Sequence, residues 1–502
     1  MARAVYDGLV AFRPVGGIAG LTLVPDLATR IPRPIDGGRT YAFTLRPDIR
    51  YSNGDYVKAS DFRRSLERAL VLPTGNPQFY TSVVGAQQCI DHPARPCDLG
   101  RGVETDDKAG RVIFHLSDPD PNFLYDLSLF VYAIPPTAPR AKELTAPPPG
   151  TGPYRIVRYV KNTGYTLVRN PYFHQWSFAA QPDGYPDVIR FQQSSSQQAR
   201  DGVLSGGADV FEIGSGAFLG QTGQVIESLY RQHPTLLHSD PWLQTDMEQL
   251  NTRVPPFNNK LARQAVNYAT DRNELVKRLG GPQMATPTCQ LFPRNFPGYE
   301  YNCPFDVAGT DGSYAGPDLV KAKELVARSG TLGVPVTVDV RAGQTFGPFT
   351  NYFAELLRKL GYRVTVRKIG RNPISFYRDS RNKVQISWAD GWIADYPAPY
   401  NFYAPLFSCD GFLPANSDTN NNISEFCDPE IDGIAAEAHD LEVTEPAAAS
   451  NVKWREVDRR VTDASPAIFT VTRKVNTLTS GRVGNYTRTL LGILVFDQMW
   501  VH

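Results

Sequence analysis

Between Pro317 and Ile369 the chain alternates twice between a helical and an extended pattern, and this alternation restricts the fold more than any other feature. PDLVKAKELVARSG repeats its apolar residues at helical spacing and stops at Gly330. VPVTVDV is a β-branched run, NYFAELLRKLG a second helical stretch stopped by Gly361, and YRVTVRKI a second β-branched run. Strands joined through a helix pair in parallel, so this region predicts an α/β unit. At 502 residues the chain exceeds the size at which one hydrophobic core keeps growing, and two or three domains are expected.

Upstream the pattern differs. GGRTYAFTLRPDIRYSNGDYV alternates apolar and polar residues around Asn53-Gly54, which predicts a hairpin. Ser60 stands where an N-cap is needed for DFRRSLERAL, whose Phe62, Leu66, Ala69 and Leu70 share a helical face. TAPPPGTGPY, from Thr145 to Tyr154, concentrates proline and glycine and reads as a boundary before the strand pair YRIVRYV and YTLVRNPYF; its TGPY is a tight turn entering a strand. A second change falls near Leu250, where NTRVPPFNN leads into a helix marked by Leu261, Ala265, Tyr268 and Ala269, continued by an Asp271 and Glu274 capping box.

The balance of 52 basic against 51 acidic residues excludes recognition of nucleic acid or an anionic membrane through bulk charge, so selectivity has to be local. No run of about 18 apolar residues occurs. The six cysteines fall in three local pairs, Cys89 with Cys97, Cys289 with Cys303, and Cys409 with Cys427. They read as three loop-closing disulfides formed in an oxidising compartment, each stabilising by about 2–4 kcal/mol. Six free thiols are the alternative. A zinc site fits less well, because no CxxC occurs and the seven histidines are scattered. No GxSxG, HExxH, P-loop or strand-linked GxGxxG is present, which leaves a hydrolase as a remote alternative, and neither a cofactor nor a metal is expected. Asp106 with Asp107 and Asp118 with Asp120 read as solvated loop acids.

WADGWIADYPAPYNF sets one acid, Asp395, among Trp388, Trp392, Tyr396 and Tyr400. Aromatic walls around a single carboxylate suit an extended cationic or zwitterionic ligand. The plainer alternatives are that two of the four aromatics belong to the core and that Asp395 is a turn residue before Pro397.

Taken in order, VYDGLV, YAFTLRPDIRYSNGDYVKASDFRRSLERAL, GTGPYRIVRYV, LNTRVPPFNNKLARQAVNYATDRNELV, PDLVKAKELVARSG and GWIADYPAPYNFYAPLFS resemble the peptide- and nickel-type (family 5) solute-binding proteins of ABC importers over nearly the whole chain. The resemblance implies a type II periplasmic-binding-protein clamshell of α/β class. Lobe 1 would comprise residues 1–10, 149–250 and 470–502, with an inserted α+β subdomain at 11–148, and lobe 2 residues 251–469. Crossover strands would lie near 243–250 and 470–477, and ligand would bind in the cleft, closed by a hinge motion. The resemblance further implies that Asp395 pairs with a ligand's α-ammonium group and that the backbone of Gly391, Trp392 and Ile393 binds an extended peptide as an added strand. The implied partners are a small peptide or similar solute and an integral membrane permease, the implied state is monomeric, and the implied location is extracytoplasmic.

Three features depart from the family pattern. DYPAP places Ala398 where many relatives have a second acid. LQTDMEQLNT places Asp246, Met247 and Glu248 where aromatics are common, so that extra acids such as Asp246 beside the cleft would favour basic ligands, the alternative being that the alternating strand turns one of them to solvent. The start lacks a secretion signal and the first strand of lobe 1, which implies an internal start codon or a shortened copy. A peptide-sensing module of a larger regulatory protein is the second functional reading.

Overall fold

A computed structural model describes residues 2–72, 75–138, 144, 146–214, 223–307, 312–341, 347–370, 373–416, 418–444 and 447–502. The chain forms two units, residues 1–210 with 480–502, and residues 211–479.

In the first unit β1 (Val10–Phe12) pairs antiparallel with β2 (Leu23–Pro25). A three-stranded antiparallel sheet follows, formed by β3 (Thr40–Thr44), β4 (Val103–Asp106) and β5 (Arg111–His115) in the order β3-β5-β4. The hairpin expected around Asn53-Gly54 is reduced to its turn. Gly54 donates to the Tyr51 carbonyl at 2.8 Å, and a single bridge, Arg50 to Tyr56, flanks it. Pro47 has no N–H to give a ladder and Asp48 is left-handed (φ 61°), so β3 ends before the turn. It pairs with β5 instead, where Tyr41 and Phe43 pack against Phe123 and Phe114.

The helix Ala59–Val71 buries Phe62, Leu66, Ala69 and Leu70 as its spacing predicts. Its cap differs from expectation, because Ser60 lies inside the first turn. Asp61 accepts the Lys58 N–H at 2.9 Å, and Asp107 accepts both the N–H and the hydroxyl of Ser60. Asp107 is thus an exposed turn acid, as expected, that also caps this helix from the β4–β5 turn. The core around this helix draws on residues from Leu9 to Ala133.

The segment before Tyr154 is tightly seated. A Cβ on Gly150 or Gly152 would fall 2.0 Å from the Val5 carbonyl oxygen or 2.6 Å from that of Ala4, and Thr151 donates to buried Asp7 at 2.6 Å. It leads into β6 (Tyr154–Val160), β7 (Gly164–Arg169) and β8 (Val188–Gln192), an antiparallel sheet in that order.

The second unit is built on a mixed sheet of β9 (Val210–Gly214), β10 (Leu237–Leu250), β11 (Ala285–Pro287), β12 (Pro335–Arg341), β13 (Arg363–Ile369), β14 (Ile386–Ile393) and β15 (Ala467–Thr479). Its order is β11-β15-β10-β14-β12-β13, with β9 also on β15. The predicted βαβ unit is present: β12 and β13 run parallel and in step from Pro335↔Arg363 to Arg341↔Ile369. The helix Leu319–Ser329 is capped by Asp318, which accepts the Lys321 N–H, and ends at left-handed Gly330. Upstream, Asn259 caps the helix Lys260–Ala269 and Asp271 accepts the Glu274 N–H. β10 and β15, which contain the expected crossover segments, run antiparallel side by side, and every residue of β10 from Leu243 to Leu250 is buried. The chain finishes in the first unit with β16 (Val483–Gly484) and β17 (Trp500–Val501).

All three cysteine pairs are disulfides, Cys89–Cys97, Cys289–Cys303 and Cys409–Cys427. Among the described residues no helix is long and apolar enough to cross a membrane.

Candidate functional site

The geometry of the site begins where β14 meets β10. Their antiparallel register runs from Leu250↔Ile386 to Met247↔Ala389 and resumes at Thr245↔Trp392, so β14 carries one extra residue opposite Asp246. Gly391 makes this bulge. Its φ is 83°, and a Cβ there would lie 2.1 Å from the Thr245 carbonyl oxygen and 2.5 Å from the Asp246 Cα. Only glycine meets both the left-handed conformation and the close approach. The bulge re-aims the end of β14, where Ile393 pairs with Gln244 and the Ala394 N–H reaches the Leu243 carbonyl at 2.8 Å.

Beyond Ala394 the chain leaves the sheet, turns through Pro397–Pro399 and enters the helix Tyr400–Phe407. Asn401, in its first turn, ties the turn together. Its Oδ1 accepts the Asp395 N–H at 3.0 Å and, at a longer 3.4 Å, the Trp392 indole N–H, while its Nδ2 donates to Asp395 Oδ2 at 2.9 Å. The Asp395 side chain is exposed, yet surrounding protein atoms raise its carboxyl above the ordinary 3.8, and the Asn401 amide opposes that shift. Among the described residues it has no ion-pair partner, so its charge is hydrogen-bonded but not neutralised.

Asp246 is the opposite case. It is 5% exposed, with its carboxylate 2.5 Å from Nε of buried Arg473 and 2.8 Å from Nε2 of Gln244. Its charge is met inside the sheet. Glu248 is likewise buried.

The aromatic residues divide. Trp392 is half-buried and joined to the Asp395 turn through Asn401. Tyr396 is buried, as is Ala398. The Tyr400 ring stacks on His439 at 4.3 Å and meets Trp454 edge-on at 6.4 Å, which ties it to the helices Pro429–Thr444 and Ala447–Ala464. Trp388 is paired through its main chain with Glu248, and its side chain lies outside the described residues. Asn401 escaped the reading of the sequence. The available signal was its place one residue into a helix, where side chains point back toward the preceding turn.

The model of the family "Bacterial extracellular solute-binding proteins, family 5 Middle" matches residues 22–413. The chain belongs to this family. It is thus an extracytoplasmic binding protein and not an enzyme, with the two-lobed α/β architecture of periplasmic binding proteins. Among the described residues no cluster of His, Cys, Asp or Glu is arranged to hold a metal ion. The binding protein is 26% identical over 485 residues to the periplasmic oligopeptide-binding protein OppA of Escherichia coli, covering 89% of this chain and 79% of that one. It is 25% identical over 508 residues to the di/tripeptide-binding protein 4 of Pseudomonas aeruginosa, covering 94% and 86%. Its fold is similar to that of clavulanic acid biosynthesis oligopeptide binding protein 2, with a TM-score of 0.82, 24% identity and coverage of 99% and 90%.

Proposed function

We propose that this protein captures a small peptide by its free α-ammonium group on Asp395 and delivers it to the permease of an ABC-type importer. The observation that carries this reading is the partnering of Asp395: an amide fixes the carboxylate, and among the described residues no cation compensates its charge. A cation arriving there replaces lost hydration with a charge-assisted hydrogen bond, roughly twice as strong as a neutral one. The relatives named for oligopeptides and di/tripeptides support the same class of solute.

Trp392 is the aromatic wall beside the ammonium group. The main chain of Gly391, Trp392 and Ile393 offers one edge to the peptide. Its other edge is held by β10, whereas the ladder with β12 is formed at Val338↔Ile386, well before the bulge. Main-chain pairing of this kind tolerates variable side chains, so the receptor accepts a range of sequences. Asp246, with its charge already matched by Arg473, maintains the strand rather than selecting basic ligands. Tyr396 lies in the turn and Tyr400 opens the helix that follows it. We further read residues 11–148 as the inserted subdomain of lobe 1, a reading supported by the separate core there, and the protein as a monomer that needs no cofactor.

Titration calorimetry with one tripeptide, N-terminally free and N-acetylated, tests the assignment. The free peptide binds and the acetylated one does not. Equal affinities would remove Asp395 from its role.

A further inference from the structure

The sheet of β6, β7 and β8 has a one-sided charge that the peptide site does not use. Its register sets three rows across the strands: Arg155, Val168 and Val188; Arg158, Thr166 and Arg190; Val160, Gly164 and Gln192. Residues two apart share a face, and the register shift between Ile156 and Arg158 returns Arg155 to the side of Arg158. This face therefore holds three arginines and no acid. All three are exposed, and among the described residues none has an ion-pair partner, whereas Arg169, at the end of β7, is paired with Asp183. At about 3.4 Å per residue and about 4.8 Å per strand, Arg158 stands about 7 Å from Arg155, whose β7 partner is two residues from its own, and about 10 Å from Arg190 at the backbone, which seats each on its own anion.

The opposite face is apolar. Its row of Ile156, Leu167 and Ile189 packs with Tyr154 and Phe496. In the next row, Tyr159, Tyr165 and Phe191, only Tyr165 still packs on that core. Tyr165 stacks on Phe191 at 4.8 Å, while Tyr159 and Phe191 remain 41% and 50% exposed. The turn between β6 and β7 begins with exposed Lys161. The free end of this sheet thus presents aromatic rings on one side, arginines on the other and a lysine at its tip.

We infer that this free end rests on an anionic lipid surface. Separate arginines match the separate phosphates of adjacent headgroups, and Tyr and Phe side chains settle at headgroup depth. An acidic protein segment would match the arginines but leave the exposed rings of the other face without a role. Because the chain's formal net charge is only +1, the attraction is local and screened beyond about 8 Å at physiological salt.

Co-sedimentation of the full chain with phosphatidylcholine vesicles, with and without phosphatidylglycerol, tests this. Binding is expected only with phosphatidylglycerol and weakens as salt is raised. The triple variant Arg155→Gln, Arg158→Gln, Arg190→Gln lowers the partition coefficient on the order of 100-fold, at about 1 kcal/mol per basic residue. The variant Tyr159→Ser, Phe191→Ser lowers it at high and low salt alike. Both variants retain the parent's peptide affinity, which reports an intact fold. Equal binding to the two kinds of vesicle, or a triple variant that partitions like the parent, overturns the inference. So does binding to polyglutamate without binding to vesicles, which would reassign the arginines to an acidic protein.

Discussion

Asp246 and Asp395 flank the same junction of β10 and β14 and differ in what holds them. Asp246 lies inside the sheet against the guanidinium of Arg473, while Asp395 lies beyond the strand end against the amide of Asn401. A buried anion that meets a cation is part of the framework. An anion oriented by a neutral group, with its hydration partly stripped, is prepared for a cation from outside. The difference between the two acids is therefore one of charge compensation, which side-chain identity does not reveal.

The largest effect expected from breaking this contrast is on the framework side. Arg473→Met strands the Asp246 carboxylate in the sheet and should destabilise the protein by about 3–5 kcal/mol, read as a lowered urea midpoint that the double variant with Asp246→Asn largely restores. On the binding side, Asp395→Asn should weaken the free-amine peptide by about 2–5 kcal/mol with no loss of stability. A variant that unfolded like Arg473→Met would erase the distinction.

The pH dependence sharpens it further. The folded-state pKa of Asp395 lies above its unfolded value, so the stability this group contributes is fully present below the unfolded pKa and is lost as pH rises through the folded one. Affinity for an ammonium group runs the other way and is lost as pH falls through the raised pKa. Calorimetry across the acidic range should show peptide binding failing at a higher pH than an ordinary aspartate would give, and the Asp395→Asn variant should show no such dependence. The smallest effect belongs to Asn401→Leu, which removes the amide from Asp395 and leaves the Asp395 N–H without its acceptor. It should cost about 1 kcal/mol of peptide affinity without abolishing the preference for a free amine.

Much of the second unit was legible before folding. The alternation from Pro317 to Ile369 fixed the parallel β12–β13 pair because glycine stops and β-branched runs act locally. The cysteine pairs were legible for the same reason, each closing a short loop. The hairpin at Asn53-Gly54 is shorter than its pattern suggests, an antiparallel bridge from Arg50 to Tyr56, because a turn signal does not specify how far its flanks pair, and Tyr41 and Phe43 found their partners on β5 and beyond it. The cap of the helix Ala59–Val71 was misread because its acceptor, Asp107, comes from a distant turn.

The sequence by itself determined the family, the helix–strand order, the disulfides and the acid at position 395, all of which depend on residue type and local spacing. Tertiary structure alone decided that Asp246 is neutralised by Arg473, that Asp395 is held by the Asn401 amide, that Tyr400 lies on His439, and that three arginines share one uncovered face of the β6–β8 sheet. Charge compensation and shared faces arise between residues far apart in the chain, and only the folded register brings them together.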